Sequence, residues 1–101
     1  MNNETVTKAE LATQLSEKIG LPRTDCQAFI EQFFETISQH LIHGVHVKLS
    51  GFGKWLTLNK KERMGRNPRT KKSAVISARR VVSFKAGGKL IRRIEKHLRD
   101  H

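Results

Sequence analysis

Between Lys60 and Arg80 the chain carries nine cations against one acid, Glu62, in 21 residues. Guanidinium and ammonium groups at this density suit an extended polyanion, because each neutralises a phosphate and releases its counterion. Nucleic acid is therefore the expected partner. An anionic membrane is the weaker reading, since this segment lacks the broad apolar face of a membrane-surface helix. Asn67-Pro68 stands near its middle and is turn chemistry.

Other reactive types lead elsewhere. His40, His43 and His46 lie three apart, but Gly44 separates the third from the first two. No Cys or carboxylate completes a metal set, so no metal and no cofactor is expected. Ser50 has no sequence-identifiable His and acid to activate it, and there is no phosphate-cradling glycine loop. The chain reads as a non-enzyme with no small-molecule substrate. Cys26, beside Ala28, Phe29 and Ile30, reads as a small core residue. A single Cys cannot close an internal disulfide, which fits a reducing, cytoplasmic setting. His97 and His101 are expected to be exposed.

These groups must be positioned by a small scaffold. The chain has 101 residues, 37% of them apolar, and a formal net charge of +11. One domain over 1–101 is expected. The charge is uneven: residues 1–50 hold four Lys and Arg against six acids, and all the excess lies beyond. No stretch is apolar enough for a signal peptide or a membrane span. Thr7 and Glu10 have capping-box spacing, and Leu11, Ala12, Leu15 and Ile19 follow at helical period, predicting a helix over 8–19 that stops at Gly20. Pro22, with a second box at Thr24 and Gln27, opens a helix over 22–43, whose stripe runs from Cys26 through Phe29, Ile30, Phe33, Phe34 and Ile37 to Leu41 and Ile42. That stripe is wider than one short neighbour would cover. The period then drops to two, with strands expected over 45–49, 55–58, 75–78 and 81–84. The polar stretch between the second and third is either a loop or a two-stranded ribbon standing clear of the body. Leu90, Ile91, Ile94 and Leu98 mark a short C-terminal helix, with Arg92, Arg93, Lys96 and Arg99 on its other face.

Taken in order, Lys48-Leu49-Ser50-Gly51-Phe52-Gly53, Gly65-Arg66-Asn67-Pro68, and Phe84 followed by Gly88-Lys89-Leu90 resemble the bacterial DNA-bending proteins HU and integration host factor. The resemblance runs from about Thr7 to His97, and Ala78-Arg79-Arg80-Val81-Val82 looks most like the alpha-type subunits of integration host factor. It implies an α+β fold: an intertwined dimer with two N-terminal helices and a short C-terminal helix. A three-stranded antiparallel sheet would send out a β-ribbon arm, about 60–76. The implied partners are double-stranded DNA and a second chain, either a beta-type subunit or another copy, in the bacterial nucleoid. Roles in recombination, replication and transcription follow from the family. Implied DNA contacts of the body are Lys8, Lys48, Ser50, Gly51 and Lys89. Those of the arm are Arg63, Arg66, Asn67, Arg69, Arg79 and Arg80, joined by Lys71 and Lys72 of the same basic tip.

The resemblance places Pro68 as the wedge between base pairs. Its chemistry agrees, because a compact apolar ring without an N–H enters a base step with no donor to desolvate, as wedges of the HU and integration host factor type do. An ordinary turn proline is the plainer reading, and both hold at once. Arg66 and Arg69 flank it and suit a narrow minor groove. Gly51 and Gly53 allow close approach of a phosphate or simply serve a sharp turn. Phe52, Trp55 and Phe84 read as core or dimer interface rather than as stacking platforms. The chain departs from the family at Met64, Lys71, Lys72 and Ala86, and at Lys54. Lys71 takes a place where a hairpin wants Gly, so the free arm, about 63–73, is expected to order on DNA. The rival reading is a basic scaffold that binds RNA or acidic proteins.

Overall fold

The computed structural model describes residues 4–100. It divides into a helical unit, Met1–Gln39, and a second unit, His40–His101.

In the first unit, α1 is Lys8–Ile19, the span the period predicts. The hydroxyl of Thr7 accepts from the Glu10 N–H at 3.3 Å, and Gly20 ends the helix at φ 74°. Helix α2, Arg23–Ile42, starts one residue later than expected. The Pro22 carbonyl accepts from the N–H groups of Asp25 and Cys26, both at 3.1 Å. Thr24 therefore lies inside the helix, and the Gln27 amide donates to Glu31 at 3.0 Å, so the second capping box does not form. Arg23 binds back to α1, donating to the Thr13 hydroxyl at 3.1 Å and the Ala9 carbonyl at 3.4 Å. Between the helices lie Ala12, Cys26 and Ile30, with Leu15 and Phe34 packed against them. Cys26 is buried, as its apolar neighbours suggest.

In the second unit, α2 closes with Gly44 at φ 81° and with N–H bonds from Gly44 to Leu41 and from Val45 to His40. This cap consumes Val45, so β1 is only Val47–Leu49, two residues shorter at its start than the alternation suggests. β2 is Gly53–Lys60, β3 is Arg63–Arg66, β4 is Ser73–Ile76, β5 is Arg79–Ala86 and α3 is Gly88–Arg99. The order β1-β2-β5 makes an antiparallel sheet. β3 and β4 pair separately, so the polar stretch is a ribbon and not a loop. Pairing lapses at residues 61–62 on one strand and 77–78 on the other, which separates ribbon from sheet. The fold is α+β, as the resemblance implies.

Phe52, Trp55 and Phe84 cluster on the sheet, with ring centres 4.9 to 6.1 Å apart. Gly53 is built into this cluster. A Cβ there would stand 2.6 Å from the Phe84 ring and 2.6 Å from the Lys85 carbonyl oxygen, so only glycine fits.

Candidate nucleic-acid interface

Strand register decides which cations share a surface, because successive side chains alternate between faces. Lys48 pairs with Lys54, and Lys54 with Lys85, so three lysines form one cross-strand row. Lys60 and Arg79 pair at the far end of that face, beyond Leu56, Leu58, Ser83 and Val81. Like charges directly opposite repel. A bound anion converts that repulsion into attraction.

The row adjoins the start of α3. Gly87 occupies the N-cap and has no side chain to satisfy the first turn. Its own N–H donates to the Phe52 carbonyl at 2.8 Å, which seats the helix start against the β1–β2 turn. That turn is closed by Phe52 N–H to Leu49 carbonyl at 3.0 Å, with Gly51 at φ 82°. Lys48, Leu49, Ser50, Gly51, Gly53, Lys54, Lys85, Ala86, Gly87 and Gly88 line the resulting open cradle. The aliphatic stem of Lys89 lies against Gly51. An uncapped helix start, the Ser50 hydroxyl and surrounding ammonium groups suit a phosphate.

Of the body residues expected from the resemblance, Lys48, Ser50, Gly51 and Lys89 meet here. Lys8 lies in the helical unit, its ammonium 5.9 Å from the centre of the Phe34 ring. Lys54, Lys85, Gly87 and Gly88 also line the cradle, although the sequence did not mark them as DNA contacts. The signal for Lys54 and Lys85 was strand parity, each next to an inward aromatic, but it needs the pairing to be read.

The arm residues divide by face. Arg79 shares the lysine face. Arg80 pairs with Asn59 on the opposite one and, though exposed, is tied back to the chain. Its Nη1 donates to the Ile42 carbonyl at 2.5 Å, and its Nε donates to the Asn59 side-chain oxygen at 3.0 Å. Arg63 and Arg66 fall on opposite faces of the ribbon, Arg63 opposite Ile76 and Arg66 opposite Ser73.

Asn67, Pro68, Arg69, Thr70, Lys71 and Lys72 form the tip. The Asn67 side-chain oxygen accepts from the N–H groups of Arg69 at 2.8 Å and Thr70 at 3.3 Å. The Asn67 N–H donates to the Lys72 carbonyl at 3.0 Å, the Lys71 N–H donates to the Asn67 carbonyl at 2.8 Å, and the Lys72 N–H reaches the Thr70 hydroxyl at 3.3 Å. Asn67 thus folds the turn that presents Pro68. Lys71 has φ 57°, the left-handed residue that the hairpin requires. Replacing Lys71 with Gly should remove about 1 kcal/mol of strain. Amide exchange at Asn67, whose N–H donates to the Lys72 carbonyl across the tip, should then slow about fivefold by that energy. Unchanged exchange would mean that the tip carries no such strain.

The bacterial DNA-binding protein family matches residues 6–95. The chain is 52% identical over 93 residues to the integration host factor alpha subunit of Buchnera aphidicola subsp. Schizaphis graminum, covering 92% of this chain and 93% of that protein. It is 53% identical over 90 residues to the same subunit of Aliivibrio fischeri, covering 89% and 92%. Among solved structures it is similar to HU from Anabaena in a cocrystal with DNA, at TM-score 0.77 and 32% identity, covering 88% and 97%. A variant HU of Thermotoga maritima shares the fold at TM-score 0.63 and 22% identity, covering 88% and 99%.

Proposed function

The chain belongs to the bacterial DNA-binding protein family, and from that membership we propose that it is an architectural protein of the nucleoid that grips the minor groove of double-stranded DNA and bends it. One observation carries this reading. The Lys48-Lys54-Lys85 row runs into the uncapped start of α3, which makes a phosphate cradle on the unit that also projects the basic ribbon.

In this reading the body holds backbone phosphates with Lys48, Ser50, Gly51 and Lys89, supplemented by Lys54 and Lys85, and Lys8 adds a contact from α1. The ribbon follows the minor groove with Arg63, Arg66, Arg69, Lys71 and Lys72, and Arg79 guards its root. Asn67 positions the tip and Pro68 enters a base step. Sequence preference arises mainly from how readily a site deforms. The domain, 1–101 with its arm at about 60–76, works as a dimer, paired with a beta-type subunit or with another copy. Recombination, replication and transcription are the processes that such bending serves.

The test is the distance between fluorophores on the two ends of a duplex. Bending brings the ends together. A scaffold that only binds acidic proteins or RNA leaves them apart. Pro68→Ala should reduce the end-to-end approach while binding survives in part, since the smaller side chain fills an opened step poorly and the cradle is untouched. Full bending by this variant would leave Pro68 a turn residue only.

A further inference from the structure

Helix α3 carries a second set of cations that the cradle does not use. At 3.6 residues per turn, Lys89, Arg92, Arg93, Lys96 and Arg99 fall within about 120° of its circumference. Leu90, Ile91, Ile94 and Leu98 fall within about 100° on the opposite side. Leu90 is half-buried, Ile91, Ile94 and Leu98 are exposed in the single chain, and the basic side is exposed along its whole length. Asp100 lies at the end of the basic face, in a cleft with Arg93, Lys96 and His97, and lowers the charge there. The basic face is continuous with the cradle: the Lys89 stem touches Gly51, and the Arg92 guanidinium stands 3.2 Å from the place of a Cβ on Gly88. The family match ends at residue 95, whereas the helix continues through Lys96 to Arg99.

We infer that this face, Arg92, Arg93, Lys96 and Arg99, is a second phosphate track that takes the DNA flanking the segment held by cradle and arm. The inference rests on the DNA-binding reading and extends its footprint. From Lys89 to Arg99 the helix rises about 15 Å, which matches four to five base pairs along a duplex axis at about 3.4 Å each. Duplex backbone leaving the cradle along α3 meets a cation about once per turn or more. An anionic membrane fits less well. Lipid would take up the stripe of Ile91, Ile94 and Leu98, but nothing joins that stripe to an anion site, whereas the basic face runs on from the phosphate cradle.

The test uses the assembled full-length protein, and a variant with Arg93→Gln, Lys96→Gln and Arg99→Gln, on two duplexes with the same centre. One is about 20 base pairs long and the other about 40, two and four helical turns. On the long duplex the variant should bind more weakly with a shallower salt slope. For three lost contacts at −0.9 each, the wild-type advantage should shrink about fortyfold between 50 and 200 mM salt. On the short duplex the two proteins should bind alike. Exchanging the cations instead (Arg93→Lys, Lys96→Arg, Arg99→Lys) should retain long-duplex binding, which separates charge from helix stability. Equal losses on both duplexes, or no loss on either, would overturn the inference. So would loss of binding to phosphatidylserine vesicles without loss on DNA. Failure of the wild type to bind either duplex would instead defeat the DNA-binding reading itself.

Discussion

Dilution should unfold this protein. Among the described residues, the buried apolar set is Ala12, Cys26 and Ile30. Phe29 is 63% exposed, Phe33 41% and Ile42 61% in the single chain. A core of three side chains cannot offset the conformational entropy of ordering some hundred residues. The Phe-rich face of α2 needs a second chain over it, and that chain's absence is equivalent to losing most of the core. Stability should therefore follow mass action, with each tenfold dilution removing about 1.4 kcal/mol. Phe33→Ala is the sharper probe. Covered by a partner, Phe33 should cost about 3–5 kcal/mol on truncation, enough to abolish assembly at ordinary concentrations. Left as in the single chain, edge-on to Phe34 with ring centres 5.2 Å apart, it should cost only about 1 kcal/mol. Sedimentation and melting at several concentrations decide, first with the chain alone and then with a beta-type subunit added. A compact monomer whose melting ignores concentration would overturn the dimer.

The second large effect is electrostatic. Two sets of cradle, arm and body cations engaging six to ten phosphates should cost about 10³ to 10⁵ in affinity between 50 and 200 mM salt. Lys54→Gln or Lys85→Gln should each flatten the slope of log affinity against log salt by about one, since each removes one cation from the row. Arg80→Ala should leave that slope alone. Its guanidinium is occupied by the Ile42 carbonyl and the Asn59 side chain. Its loss should appear as lower stability of about 1 kcal/mol, the net worth of a hydrogen bond that water can replace. An affinity indifferent to salt would remove the phosphate reading. A slope flattened by Arg80→Ala as much as by Lys54→Gln would return Arg80 to the DNA surface.

These variants also mark the reach of sequence reasoning. The bounds of α1 were legible to the residue because cap, stripe and stop agreed locally at Thr7, Ala12 and Gly20. α2 was legible to within a residue or so at each end, and its missing capping box traces to Pro22, whose carbonyl took over the first turn. The ribbon was legible as an alternative to a loop, because a basic stretch centred on Asn67-Pro68 cannot pack on its own core. Lys71 was legible as a strained residue, and its φ of 57° is that strain.

The sequence by itself determined the class of partner and the outline of the fold, since charge density, period and local turn chemistry are properties of neighbouring residues. What only the tertiary structure decided depends on pairing between residues distant in the chain. Lys54 and Lys85 join Lys48 through the register of three strands, which no local window contains. Arg79 and Arg80 are identical in type and adjacent, yet parity sends one to the lysine face and the other to the carbonyl of Ile42, 38 residues away. A strand's period of two makes neighbours face opposite ways, and only the partner strand fixes which way is out.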